Sequence, residues 1–160
     1  MPSTRRLALL IVVLVALDQL TKSWAVSALD NGRTIDIVWT LRFALGFNSG
    51  IAFSQVQDLG PVVGVIALVA VVLLYRYMKR ASHSLMAYGI AGILAGAVGN
   101  IADRLFRGEG FLHGKVVDFI DLQWFPVFNV ADSCITVGAI VLMISLYLEQ
   151  SQLRKSADAS

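Results

Sequence analysis

LALLIVVLVALDQLTKSWAV, residues 7–26, is the stretch whose reading decides the fold. Leu7 to Leu17 are apolar without interruption and follow Arg5 and Arg6. At 1.5 Å of rise per residue, about 20 residues cross a hydrocarbon core of roughly 30 Å, so the run reads as a membrane-spanning helix. Asp18 and Lys22 interrupt its outer half four residues apart, which places them on one helix face. A charged side chain in hydrocarbon costs at least about 2.5–3.5 kcal/mol, so both should find polar partners on other helices. A cleaved signal peptide is the other reading of this segment, with small residues at Ala25, Ser27 and Ala28. Asp18, Gln19, Thr21 and Lys22 speak against it, because they would put a long charged region before any cut.

The rest of the 160-residue chain follows the same pattern. With 57% hydrophobic and 15% charged residues it is too apolar for an ordinary soluble domain. Four spans are expected, at about 7–26, 59–76, 85–104 and 128–148, in one integral membrane domain covering 1–160 with a frayed polar tail at 150–160. Arg5 and Arg6, then Arg76, Lys79 and Arg80, then Arg154 and Lys155 mark one side. By the positive-inside rule that side is cytoplasmic, with both termini, and the loops at 29–60 and 105–127 lie outside. Lys22, Arg33, Arg42, Arg104, Arg107 and Lys115 at the outer end weaken the contrast. The net charge of +2 forms no basic stripe, so no nucleic-acid partner is expected. Cys134 stands alone in an apolar segment, which leaves no disulfide framework and no cysteine cluster for a metal; it reads as a packing residue.

The outer loops carry their own pattern. From Ile35 to Leu45 every odd residue is apolar, the period of a half-exposed strand. Val116, Val117, Phe119 and Ile120 form a second β-prone run, so a small sheet on the outer face is expected, with Asp118 on its edge.

Polar residues in the spans gather toward the outer ends: Asp18 and Lys22 in the first, Asn100, Asp103 and Arg104 in the third, Asn129, Asp132, Ser133 and Thr136 in the fourth. Polar faces at similar depth cost least when they meet, so one site is expected, with Asp18 its deepest member. Gly92 and Gly96 form a GxxxG step that permits close helix approach. Asp118 and Asp132, fourteen residues apart, fit acid/base chemistry on water: two neighbouring carboxylates cannot both ionise easily, so one keeps a proton while the other deprotonates water. Position alone leaves other roles open, a turn-capping carboxylate for Asp118 and a first-turn helix acid for Asp132. A zinc site lacks its ligands, because the two histidines, His83 and His113, fall in loops on opposite sides; no metal or other cofactor is expected. Ser49 or Ser133 with Lys22 is a further, unfavoured nucleophile pair. A small proton-coupled transporter, with Asp18 binding a cation, is the rival from another class, and a non-enzymatic assembly factor a second.

Five motifs then carry a resemblance: DQLTK at 18–22, FNSGIAF at 47–53, GNIADR at 99–104, VDFI at 117–120 and FNVAD at 128–132. In this order, over about Arg5 to Tyr147, they resemble the lipoprotein signal peptidase (signal peptidase II) family. The resemblance implies a multi-pass aspartyl endopeptidase of the bacterial inner membrane. Its substrates would be prolipoproteins carrying a diacylglyceryl group, cut just before the lipidated cysteine on the outer face. It implies Asp118 and Asp132 as the catalytic pair, and Asp18, Lys22, Asn48, Gly50, Asn100, Arg104, Asn129 and Ala131 as binding or orienting positions. It also implies an outer β-cradle and a lid, in a protein expected to act as a monomer among membrane lipids. Arg104 is expected to pair with Asp103 or a lipid phosphate, and Trp39, Phe53 and Trp124 to line a lipid entrance or anchor at the interface. The stretch at 107–114 is longer and richer in glycine than the family pattern.

Overall fold

A computed structural model describes residues 2–49 and 60–158. Four helices, α1 (Thr4–Ala28), α2 (Gly60–Met78), α3 (Ser84–Phe106) and α4 (Val130–Asp158), are each long and apolar enough to span a membrane. A three-stranded antiparallel sheet, β1 (Thr34–Val38), β2 (Leu41–Asn48) and β3 (Val116–Asp121) in the order β1-β2-β3, lies at one end. The four apolar runs thus became helices and both β-prone runs became strands, with Asp118 on an edge strand. Gly50 and Phe53 lie outside the described residues.

The run at 35–45 is not one strand. It folds back as a hairpin, pairing Ile35 with Phe43 and Asp36 with Arg42, and turns at Trp39, whose φ is +52°. A register shift between Asp36 and Val38 lets the inward set, Ile35 and Phe43, stay on one face through the turn, which is why the odd-residue pattern runs across it. The turn holds no Gly, Pro, Asn or Asp to announce it. The tail differs as well: α4 continues to Asp158, through residues such as Glu149, Gln152, Arg154 and Lys155 that favour helix, with Lys155 placed well for the helix dipole.

Helix α3 is the centre of the bundle. It packs against α1, α2 and most extensively α4, whereas α2 lies mainly along α3 and meets α1 only through side chains such as Met78 at one end. The α3–α4 contact is close because glycines face each other. A β-carbon at Gly96 would collide with the Ala131 carbonyl and one at Gly89 would lie 2.9 Å from the Gly138 carbonyl oxygen. At one end of the bundle Leu7 packs with Met78, Ala81 and Ala87, and Ser82 donates to Glu149. The start of the chain, the α2–α3 turn and the late part of α4 therefore share that end, and the sheet takes the other. The sheet is seated by aromatic edges: Trp24 of α1 meets Phe43 and Phe119 at centroid distances of 5.4 and 6.2 Å. The loop after α3 returns to the bundle through Leu112, fully buried, whose side chain fills the notch at Gly64 of α2.

Candidate active site

The polar residues predicted to converge do converge, and Lys22 is their hub. Its side chain is fully buried, and its ammonium lies 2.9 Å from Asp18 Oδ2, from Asp103 Oδ2 and from Asn100 Oδ1, one acceptor for each of its three protons. Four residues separate Asp18 from Lys22, the spacing that lets them pair along α1. Asp18 Oδ1 reaches further and accepts the backbone N–H of Ala131 at 2.9 Å, one of the unpaired donors of the first turn of α4. Ala131 thus contributes its backbone, and its buried methyl packs where Gly99 leaves room.

Asparagines carry this order to the two aspartates. Because Lys22 occupies the Asn100 oxygen, the Asn100 nitrogen faces outward and donates to Asp132 Oδ1 at 2.8 Å. Asn129 sits just before α4 and makes a reciprocal cap with Asp132: its Oδ1 accepts the Asp132 N–H at 2.9 Å while Asp132 Oδ2 accepts the Asn129 backbone N–H at 3.2 Å. That fixes the Asn129 nitrogen toward Asp118 Oδ1, 2.6 Å away, and toward Asn100 Oδ1, 3.2 Å away. Asn48, at the exposed end of β2, also hydrogen-bonds Asp118. The helix-acid role open to Asp132 in the sequence is real, and it coexists with a place in the site.

Asp118 is buried, 4% exposed. Its carboxyl is pushed up to about 6, first by burial and then by the neighbouring Asp132 charge, against the opposing hydrogen bonds of Asn129 and Asn48 and the more distant Lys22 charge. Asp132 opens onto a cavity of about 660 Å³, walled by Trp124, Phe125 and Phe128 on one side and by Ser133, Thr136 and Val137 of α4 on the other, with Asn48 at its rim. Trp124 therefore lines the cavity as expected. Trp39 stands apart from it, 96% exposed at the hairpin tip, which leaves it the anchoring alternative.

Of the two partners expected for Arg104, helix geometry removes one. Arg104 does not pair with Asp103, its neighbour in sequence, because adjacent residues on a helix point to different faces. Asp103 instead binds Lys22, Arg107 four residues on at 2.9 Å, Gln19 at 3.1 Å and the Val117 backbone N–H at 3.1 Å. Gln19 and Arg107 are members of the network that sequence reasoning missed, and Asp103, expected among the converging residues, was given no binding or orienting role of its own; the i,i+4 spacing of Asp103 and Arg107 was the available signal. Arg104 turns to the aspartates' side, donating from Nη1 to the Asn100 carbonyl at 3.3 Å, with its buried Nε unpaired among the described residues. Among the described residues no three His, Cys, Asp or Glu side chains are grouped to hold a metal ion.

Comparison with known proteins bears on this geometry. Residues 10–148 match the family model described as Signal peptidase (SPase) II. A lipoprotein signal peptidase of Mycobacterium avium (strain 104) is 41% identical over 98% of this chain and 90% of its own length. One of Mycobacterium leprae (strain Br4923) is 42% identical over 88% of this chain and 72% of its own. Among solved structures, one described as a bacterial membrane enzyme determined by the in meso method at 2.3 Å resolution superposes with a TM-score of 0.82 and 28% identity, covering 93% of this chain and 92% of that one.

Proposed function

Because this chain belongs to the signal peptidase II family, we propose that Asp118 and Asp132 are the pair with which it cuts its substrates. The chain is a multi-pass peptidase of the bacterial inner membrane that removes signal peptides from prolipoproteins. Nothing in the fold or the comparisons favours a transporter, and Asp18, which that reading needed free for a cation, is engaged by Lys22 and the Ala131 N–H.

The observation that carries the aspartyl reading is the position of Asn129, which hydrogen-bonds Asp118 through its side chain and Asp132 through its backbone beside an apolar cavity. Charge supports it. Four carboxylates in the network, Asp18, Asp103, Asp118 and Asp132, face three cations, Lys22, Arg104 and Arg107, and one proton held by the aspartate pair makes the group neutral. The singly protonated pair has what peptide hydrolysis needs. The ionised aspartate takes a proton from water as the hydroxide oxygen bonds to the scissile carbonyl carbon. The protonated one gives its proton to the carbonyl oxygen. On collapse of the tetrahedral intermediate the C–N bond breaks, the leaving nitrogen collects a proton, and the pair again holds one. The products are a new carboxyl end on the signal peptide and a free amine on the mature protein.

Asn100 and Asn129 orient the pair, Asn48 belongs to the rim that meets substrate backbone, Gly50 takes a binding role on the family resemblance alone, and Lys22, Asp18 and the Ala131 N–H hold this frame from beneath. Arg104, whose buried Nε is unpaired among the described residues, serves the substrate's carbonyl or phosphate-like groups. The basic residues of the opposite end support a cytoplasmic place for that end and cleavage at the outer face, in a reading where a monomer takes its substrate sideways from lipid. Cleavage of a diacylglyceryl-modified precursor by purified protein, with Asp118→Asn and Asp132→Asn as controls, tests the reading; turnover by either variant near the wild-type rate overturns it.

A further inference from the structure

A second cavity, of about 340 Å³, opens at the end of the bundle away from the aspartates, between the start of α1 and the end of α2. Its floor is apolar and buried: Leu7, Met78, Ala81 and Ala87 are 6%, 7%, 6% and 2% exposed. Its cation is Lys79, whose ammonium lies 4.6 Å from the centre of the Tyr75 ring, a second lining residue. The surrounding sequence is one-signed. Arg5, Arg6, Arg76, Lys79 and Arg80 fall in residues 2–17 and 60–86, and those segments contain no Asp or Glu. Glu149 does approach this end from α4, but it is engaged by Ser82 at 2.9 Å and His83 at 3.7 Å, neither of which lines the cavity.

We infer that this cavity holds one anionic phospholipid, its phosphate at Lys79 and the start of an acyl chain on Leu7 and Met78. Charge complementarity selects an anion, since each cation near an anionic bilayer surface strengthens attachment about fivefold. The apolar floor selects a lipid over free phosphate, because a hydrated inorganic ion gains nothing from burying Leu7, Met78 and Ala87. A cation spread over solvent alone would leave Lys79 free to swing; stacking on Tyr75 holds the ammonium at the cavity. This site lies at the other end of the bundle from the catalytic pair, so it stands whether or not the aspartyl reading does.

Native mass spectrometry of the full-length, detergent-purified protein tests it, with added phosphatidylglycerol or phosphatidylcholine as probes. One phosphatidylglycerol should be retained in preference to phosphatidylcholine. Lys79→Gln should bind it about fivefold more weakly, Lys79→Arg should keep it, and Arg154→Gln, a basic position of α4 that does not line the cavity, should behave as wild type. Precursor cleavage in detergent should be the same in all three, which also reports that they are folded. Equal retention of both lipids, equal loss in Lys79→Gln and Arg154→Gln, no loss in Lys79→Gln, or displacement of the lipid by excess inorganic phosphate would each overturn the inference.

Discussion

Lys22 Nζ lies 2.9 Å from the side-chain oxygen of Asn100, and that contact decides which way Asn100 points. With its oxygen taken by an ammonium, Asn100 presents only its nitrogen to Asp132. A buried cation two residues removed from the reacting atoms thereby fixes the donor that one of the proposed catalytic groups receives.

Lys22→Met should cost about 3–5 kcal/mol of stability, because Asp18 is left buried without its cation and Asp103 keeps only Arg107. Asn100→Asp keeps the shape but turns a donor into a like charge beside Asp132, and should lower kcat more than it raises KM. Thermal unfolding in detergent and steady-state cleavage separate the two effects. A fully active, equally stable Lys22→Met would remove Lys22 from the frame.

Asp118→Asn and Asp132→Asn should each reduce cleavage by at least about 10²–10⁴-fold, the usual contribution of one positioned acid or base. Asp132→Asn should also cost some stability, since Asp132 caps α4 through the Asn129 N–H, whereas Asp118→Asn should cost little. Circular dichroism and unfolding midpoints of the two variants check that difference. Asp18→Asn, which supports α4 and holds no reacting group, should lose activity only in part.

The pH profile follows from Asp118. Its carboxyl is raised from the usual 3.8 to about 6, so its proton stabilises the folded state fully below about pH 4 and that contribution is lost as pH rises through about 6. If the singly protonated pair is the working form, kcat/KM should fall over the same rise. Bound substrate displaces water, deepens burial and moves the limb of kcat to higher pH. In Asp132→Asn the neighbouring charge is gone, and carboxyl NMR should show Asp118 titrating lower than in wild type; an unchanged titration would show that the two aspartates do not interact.

A precursor without its lipid should be cut poorly even at saturation. Each buried CH₂ contributes roughly 0.8 kcal/mol, so acyl chains fix the depth of the scissile bond as well as adding affinity. The cavity beside Asp132, walled by Trp124, Phe125 and Val137, is apolar enough to receive them. Equal kcat for lipidated and unlipidated precursor in the same bilayer would show that the lipid is not read.

What was legible in the sequence is what local rules govern. The spans follow from length and hydropathy, the strands from period two, and the meeting of Asp18, Lys22, Asn100, Asn129 and Asp132 from the cost of leaving any of them in hydrocarbon. What was not legible depends on direction. The turn at Trp39 uses a left-handed backbone without the residues that usually mark one, so composition was silent. Asp103 had several cations within reach in the sequence; i,i+4 spacing favours Arg107 over Arg104, but only the rotation of α3 against α1 brings Lys22 to it. The rank of Lys22 as hub, with three acceptors from two helices, could not be read from a single face of α1.

Leu112 in the notch of Gly64 gives the molecule a mechanical character that its chemistry does not. Three helices are tied together by glycine contacts and buried charge, and α2 is joined to them along α3, through Met78 against Leu7 at one end, and toward the other end by this inserted side chain of the outer loop. Loop and helix are therefore coupled parts, like a pawl in a ratchet wheel. Neither can be displaced at that point without withdrawing the leucine, so a displacement of the loop reaches α2 as well as β3, the strand that carries Asp118.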